Sequence, residues 1–118
     1  MKEAHARDNV ARERARIEAL LTGLDGDIRA AGPLRGQQTG ELEEGASGLE
    51  TESVDVALAA SLRAELAAVG RAEERIARGT YGRSVRSGVS IPDERLEVEP
   101  LAERTVEEQR RHEDAGIR

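Results

Sequence analysis

Few side chains in this sequence could take part in catalysis or hold a metal. The chain has no cysteine and two histidines, His5 and His112, which lie in charged segments near its two ends. A structural zinc site needs about four good ligands, so two distant histidines are too few. The sequence also contains no Walker loop, no GxGxxG and no HExxH. We therefore predict a protein that is not an enzyme and that has no cofactor and no metal.

Two segments have the apolar spacing of amphipathic helices. Residues 3–31 carry an apolar stripe, with Arg and Glu on the other faces, formed by Val10, Ile17, Leu21, Leu24, Ile28 and Ala31. Residues 54–78 carry a stronger stripe, formed by Leu58, Leu62, Leu66, Val69, Ala72 or Glu73, and Ile76. Pro33 predicts the end of the first helix, and Ser53 or Asp55 is suited to cap the second. Two such helices pack most simply as an antiparallel hairpin with one thin apolar seam.

The segment between the two helices is acidic and rich in glycine. Residues 32–50 contain five glycines and one proline without a sustained apolar period, which predicts a mobile linker. Residues 32–55 hold six acidic residues and one arginine. We therefore predict a helical hairpin over residues 1–78 with a flexible acidic tip around residues 32–55. The seam is predicted to form within a monomer, although the same stripe could pair two chains as a coiled-coil dimer.

Residues 79–118 differ in character from the helices that precede them. The first part of this segment mixes turn residues with isolated apolar ones and has no helical period. Pro100 suits the first turn of a helix and Gly116 its end, so we predict a short C-terminal helix between them. The residues predicted to pack this small module against the base of the hairpin are Tyr81, which is the only aromatic residue, Ile91, Leu96 and Leu101.

The spacing within residues 79–109 resembles a known signature. The C-terminal zinc finger of the DksA/TraR family of transcription regulators follows the pattern G-T-Y-G-x-C-x-x-C-G-x-x-I-P-x-x-R-L-x-x-x-P-x-A-x-x-C-x-x-C-Q. The residues that match it in register are Gly79, Thr80, Tyr81, Gly82, Gly88, Ile91, Pro92, Arg95, Leu96, Pro100, Ala102 and Gln109. The resemblance implies a mainly α fold, in which an antiparallel two-helix coiled-coil hairpin is followed by a small zinc-finger-like module with a short C-terminal helix.

The four cysteine positions of this signature are all substituted in this sequence. They fall on Ser84, Ser87, Thr105 and Glu108. One interpretation is a cation site with oxygen ligands, but hydroxyl groups are poor zinc ligands and a single carboxylate does not compensate. We therefore favour a degenerate, zinc-free finger over residues 79–118, in which hydrogen bonds and small apolar contacts have replaced the metal.

A short acidic motif stands near the start of the second predicted helix. Members of the DksA/TraR family carry D-x-x-D-x-A at the tip of their coiled coil, and here Glu52, Asp55 and Ala57 form E-x-x-D-x-A. The resemblance implies that these three residues contact a partner. A structural interpretation stays open beside it, in which the two acids stabilise the helix start by capping and by the helix dipole and Ala57 is a small seam residue.

Composition and charge exclude several other classes of protein. The net charge is −6, and no segment supplies the basic face that direct binding to nucleic-acid phosphates requires. The chain has no apolar run of about 18 residues that would span a membrane, and its N-terminus has no apolar signal-peptide core. We therefore predict a cytoplasmic protein that binds neither nucleic acid nor membrane directly.

The resemblance also implies a function. Proteins of the DksA/TraR family bind RNA polymerase and insert their coiled coil into its secondary channel, where the acidic tip modulates transcription initiation. We therefore predict a bacterial transcription regulator whose partner is RNA polymerase. The alternative is a helical interaction module, or a coiled-coil dimer, of the same ancestry that has lost the polymerase activity.

Overall fold

Four helices make up the fold of the computed structural model. It describes the backbone of residues 1–37 and 42–116 and the side chains of residues 1–26 and 54–116. The helices are α1 (Glu3–Gln37), α2 (Leu42–Arg78), α3 (Asp93–Val98) and α4 (Val106–Gly116). Within the described residues there is no β-strand, and one isolated antiparallel bridge joins Arg83 to Ser90. None of the helices is long and apolar enough, over its described part, to cross a bilayer.

The two long helices form a hairpin, which confirms the predicted mainly α fold. Both extend further than predicted, because α1 continues to Gln37 and α2 already begins at Leu42. The predicted helix end at Pro33 is wrong. A proline inside a helix removes one backbone hydrogen bond at a cost of about 3 kcal/mol. Each helical residue added after it forms a new backbone hydrogen bond, and extending an existing helix is easier than starting a new one.

Helical residues occupy most of the segment that was predicted to be a linker. Of residues 32–50, all but 38–41 belong to α1 or α2, and residues 38–41 lie outside the described part of the chain. The predicted mobility of this segment stays a prediction, as does the division of the chain into modules at residue 78.

By its packing the chain divides into two compact units. Unit 1 comprises Met1–Glu13 and Ala68–Arg118, and unit 2 comprises Arg14–Ala67. The buried apolar residues of unit 1 are Ala6, Val10, Val69, Ala72, Ile76, Ile91 and Leu96. Those of unit 2 are Ile17, Leu21, Ala59 and Leu62.

The buried residues of α2 follow a period close to 3.5, as in a coiled coil. They are Ala59, Leu62, Val69, Ala72 and Ile76, with Leu66 half-buried. The prediction that Leu58 lies in the seam is wrong, because its side chain is 49% exposed and Ala59 takes the seam position. Leu58 precedes Leu62 by four residues, which is more than the 3.5-residue period of the seam, and the seam position before Leu62 is instead Ala59, three residues away.

The segment after α2 is held by turns and by its two most buried side chains. Gly79 ends the helix with a φ of 76°, and the backbone N–H of Thr80 donates to the carbonyl of Arg75 at 2.8 Å, as in a glycine-terminated helix end. Ile91 and Leu96 are buried, as predicted.

Two further residues predicted to pack this module, Tyr81 and Leu101, are half-buried. The hydroxyl of Tyr81 donates to the carbonyl of Pro100 at 2.8 Å, so the polar end of the only aromatic side chain has a partner. Burial raises the pKa of Tyr81 despite the opposing charge of Arg75. The aromatic ring therefore anchors the turn after α2 to the segment after α3.

The helices of the C-terminal module begin and end at different residues from those predicted. α3 lies where no helix was expected, since six residues are too few to show a helical period. Its start nevertheless has local signals, because Pro92 precedes it and Asp93 and Glu94 lie in its first turn. The predicted start of the last helix at Pro100 is wrong, because α4 begins at Val106.

Candidate functional site

The residues predicted to contact a partner lie inside α2 rather than at its start. Because α2 begins at Leu42, neither Ser53 nor Asp55 caps it, and that structural interpretation is wrong, since a cap precedes the first helical turn. The side chain of Asp55 is half-buried and that of Ala57 is exposed, so Ala57 is not a seam residue. The side chain of Glu52 lies outside the described residues. A partner-binding role for the three residues stays a prediction.

Exposed apolar side chains flank Asp55 on α2. Val54 is 65% exposed, Val56 is 50% exposed and Leu58 is 49% exposed. A single exposed apolar residue is ordinary, but Val54 and Leu58 are four residues apart and therefore lie on the same face of α2, where partners could cover both, whereas Val56 lies on another face. The sequence pattern predicts Leu58 in the intramolecular seam. The helix packing instead leaves its side chain exposed, so that a partner could contact it.

The four former cysteine positions come together in unit 1, where two of them form the start of α4. The backbone N–H of Thr105 donates to Oε1 of Glu108 at 3.0 Å, and the backbone N–H of Glu108 donates to Oγ1 of Thr105 at 3.2 Å. This reciprocal pair is a capping box, which satisfies two backbone donors that a helix start leaves without partners. This capping box explains why α4 begins at Val106, directly after Thr105.

The other two positions lie in the turn that precedes Gly88. The hydroxyl oxygen of Ser84 accepts the backbone N–H groups of Arg86 at 3.1 Å and of Ser87 at 3.3 Å. The backbone N–H of Gly88 donates to the carbonyl of Ser84 at 2.9 Å, and Gly88 has a φ of 77°, which glycine adopts without strain. Ser84 is 5% exposed. Oγ of Ser84, at a former cysteine position, is thus the acceptor that stabilises this turn.

The carboxylate of Glu108 connects this turn to α4. Its pKa is lowered to about 2 by hydrogen bonds from the hydroxyl of Ser87, from the backbone N–H of Thr105 and from the hydroxyl of Ser84. Burial acts in the opposite direction, and Glu108 is only 8% exposed. The donors outweigh the effect of burial, so Glu108 is held as a charged carboxylate near the other former cysteine positions.

These four residues do not fit a structural zinc ion. The donor set contains three hydroxyl groups and one carboxylate, and zinc prefers thiolate and imidazole ligands. The carboxylate is also already engaged by hydroxyl and backbone donors. Over the described residues there is no group of three or more His, Cys, Asp or Glu side chains that could hold a metal. Hydrogen bonds of Ser84 and of the Thr105–Glu108 pair stabilise, each locally, the two segments that carry the former cysteine positions.

The two histidines have different surroundings. Nε2 of His5 is hydrogen-bonded to a carboxylate oxygen of Glu97, and both side chains are about half exposed. His112 lines a groove with Arg71, Arg75 and Arg83.

Comparison with known proteins identifies the fold. No protein-family model and no curated protein matches the chain. Among solved structures, the chain is similar to the transcription factor DksA2 from Pseudomonas aeruginosa, with a TM-score of 0.80 and 27% sequence identity over 95% of this chain and 83% of that chain. Together with the twelve matched residues of the finger signature, this similarity shows that the chain has a DksA/TraR-like fold, in a variant without the zinc-ligand cysteines.

Proposed function

We propose that this protein is a cytoplasmic transcription regulator that binds RNA polymerase and inserts the acidic end of its helical hairpin into the secondary channel. In this proposal Glu52, Asp55 and Ala57 face the polymerase and modulate initiation. No covalent chemistry is required. The protein acts by placing carboxylates and an apolar surface against its partner.

The observation that carries the proposal is the similarity to a transcription factor over nearly the whole chain. A TM-score of 0.80 over 95% of the chain includes the helical hairpin as well as the C-terminal module. The sequence adds the E-x-x-D-x-A motif at Glu52, Asp55 and Ala57, which resembles the acidic tip motif of the family and lies here within α2. Fold alone does not determine function, so the motif is the necessary second support.

The surface around Asp55 gives physical support for a partner contact. The exposed side chains of Val54 and Leu58, which are neighbours on one face of α2, offer apolar area that a partner would remove from water, at about 25 cal/mol per Å². Residues 32–55 hold six acidic residues and one arginine, so the same region attracts a basic surface. Apolar contacts of this kind contribute affinity, while the charge complementarity contributes orientation and association rate.

Binding to purified RNA polymerase tests the proposal directly. The protein is expected to co-elute with core polymerase in gel filtration and to change the lifetime of promoter complexes. Leu58→Ser is expected to weaken binding, because it removes exposed apolar area without touching the seam. Asp55→Asn is expected to leave binding largely intact and to abolish the effect on promoter complexes, since it keeps the shape of the side chain and removes its charge.

Asp114→Asn is the matched control for Asp55→Asn. Asp114 lies on α4 with an exposed side chain, and its substitution makes the same charge change in the other unit. It should leave both binding and the transcriptional effect unchanged. Failure to bind polymerase would refute the proposal, and an unchanged transcriptional effect of Asp55→Asn would refute the assignment of the tip.

The same exposed surface on α2 favours one alternative function. If Val54 and Leu58 pack against a second chain, the protein is a coiled-coil dimer and an interaction module. Light scattering separates the two cases, because the polymerase-binding proposal expects the mass of a monomer. A dimeric mass that Leu58→Ser converts to a monomeric mass, together with no polymerase binding, would establish the alternative.

A further inference from the structure

Unit 1 contains an open groove beside Ser90 that the proposed function does not use. It is a cavity of about 690 Å³ formed by the segment that leads into α3, by α3 itself and by the first turns of α4. Its apolar lining comes from Val89, Pro92 and Val106, and we call it the bridge groove. These residues belong to unit 1, whereas Asp55 belongs to unit 2.

The apolar side chains of the bridge groove are exposed to solvent. Val89 is 56% exposed and Val106 is 44% exposed, and Pro92 is exposed as well. A single exposed apolar side chain is ordinary, but these three come from separate elements and line one concave surface. An occupant that covers them therefore gains hydrophobic free energy.

The backbone of Ser90 provides an edge at which a further strand can pair. Ser90 forms an isolated antiparallel bridge with Arg83. The two hydrogen bonds of this bridge run from the N–H of Ser84 to the carbonyl of Val89 at 2.8 Å and from the N–H of Ile91 to the carbonyl of Gly82 at 2.7 Å. Because these bonds join the neighbours of the pair, the N–H and carbonyl of Ser90 point away from Arg83.

Both outward-facing groups of Ser90 are available to a partner. Among the residues that the structure describes, neither its N–H nor its carbonyl has a hydrogen-bond partner. Ser90 is exposed and lines the bridge groove. An unpaired strand edge of this kind is a template for an extended segment of another protein.

The uncompensated charge of the bridge groove is negative. The arginines that line the groove each have an acidic partner, in the pairs Arg111–Glu107 at 4.0 Å and Arg95–Glu99 at 3.4 Å. Glu94 is exposed and has no cationic partner among the described residues. The charged carboxylate of Glu108 has only hydroxyl and backbone donors around it. Charge complementarity therefore favours an occupant with a positive charge.

We propose that the bridge groove binds an extended segment of a partner protein that carries an apolar residue and, two positions away, a lysine or arginine. Side chains two positions apart in a strand lie on the same face. The segment pairs with the backbone of Ser90, its apolar side chain covers Val89 and Val106, and its basic side chain contacts Glu94. In this mode the main-chain hydrogen bonds contribute affinity and the side chains contribute specificity.

Titration of the full chain with synthetic peptides, followed by nuclear magnetic resonance, tests this proposal without polymerase. Its failure is therefore distinguishable from failure of the proposed function. The probe is the peptide Thr-Val-Thr-Lys-Thr with both ends capped. It is expected to shift the backbone amide signals of Ser90, Glu94 and Val106 in a saturable manner.

Two altered peptides test the two features of recognition. A peptide with glutamate in place of the lysine is expected to bind at least about tenfold more weakly, because it meets negative charge in the groove. The original peptide with methylated backbone nitrogens is also expected to bind at least about tenfold more weakly, because it has no N–H to donate. An unchanged affinity for either altered peptide, or no saturable shift at the three residues, would overturn the proposal.

Two pairs of variants locate the site. Glu94→Gln is expected to weaken binding of the original peptide about two- to fivefold, and Val106→Ser is expected to weaken it by a similar factor, because it removes apolar area. The controls make the same changes at exposed residues outside the groove, in Glu113→Gln and Val98→Ser, and should leave the affinity unchanged. Equal losses within either pair, at unchanged melting temperatures, would overturn the proposed site.

Discussion

Thr105 and Glu108 hydrogen-bond to each other in both directions, each through its side-chain oxygen and its backbone N–H. Both stand at positions that are cysteines in the zinc-finger signature of the DksA/TraR family. The replacement is therefore more than the loss of two ligands, because the new residues form a capping box that stabilises the helix start without metal. The hydroxyl groups of Ser87 and Ser84 also lower the pKa of the Glu108 carboxylate.

Removing the cap at Thr105 should destabilise the C-terminal module. Thr105→Ala is expected to cost about 1 kcal/mol, which corresponds to a decrease of about 3–6 °C in the melting temperature of a protein of this size. Circular dichroism melting curves measure the change. Thr105→Ser is the control, because it keeps the hydroxyl group, and it should restore most of the lost stability. An equal loss in both variants would show that the cap is not the cause.

The lowered pKa of Glu108 predicts a specific dependence of stability on acid. Because the pKa falls from 4.5 to about 2 on folding, the carboxylate stabilises the folded state above pH 4.5, and this contribution is lost as the pH falls toward 2. The difference in unfolding free energy between the wild type and Glu108→Gln should therefore shrink over that range. Urea denaturation at several pH values measures it. A difference independent of pH would contradict the role given to the charged carboxylate.

The convergence of the four positions predicts that a zinc site can be rebuilt. The wild-type protein should contain no stoichiometric zinc, and a chelator should not change its melting curve. A variant with Ser84→Cys, Ser87→Cys, Thr105→Cys and Glu108→Cys should bind one zinc ion, since four thiolates complete a tetrahedral site. Elemental analysis and chelator titration provide the measurement.

The control for the rebuilt zinc site is a variant with only the first two cysteines, which should bind zinc much more weakly. Zinc in the wild type would refute our interpretation of the donor set. Lack of zinc in the four-cysteine variant would show that the four positions are not close enough to share one ion.

The packing of α2 predicts opposite outcomes for two neighbouring leucines. Leu62 is 5% exposed and Leu58 is 49% exposed. Leu62→Ala should cost about 2–4 kcal/mol, because it opens a cavity in the seam, while Leu58→Ala should cost less than about 1 kcal/mol. Chemical denaturation of the two variants under identical conditions checks the prediction. Comparable losses of unfolding free energy in the two variants would show that Leu58 packs in the seam, as its spacing in the sequence predicts.

Much of the fold was predictable from the sequence because the relevant signals are local. The stripes that include Val10 and Ile17 in α1 and Leu62 and Val69 in α2 follow helical periods, and these four residues are buried. The spacing between Gly79 and Gln109 was sufficient to indicate the DksA/TraR-like fold. A short helix such as α3 was missed, since six residues provide less than two helical turns.

The candidate site was only partly predictable, because its chemistry depends on contacts between distant segments. The sequence by itself determined that the cysteine positions hold Ser84, Ser87, Thr105 and Glu108, and hence that thiolate ligation is absent. Only the tertiary structure decided that Ser84 and Ser87 lie near enough to Glu108 for their hydroxyl groups to lower the pKa of its carboxylate. Helical periodicity acts over a few residues, whereas hydrogen-bond networks and electrostatic fields act through space, and for this reason they follow the fold rather than the order of the chain.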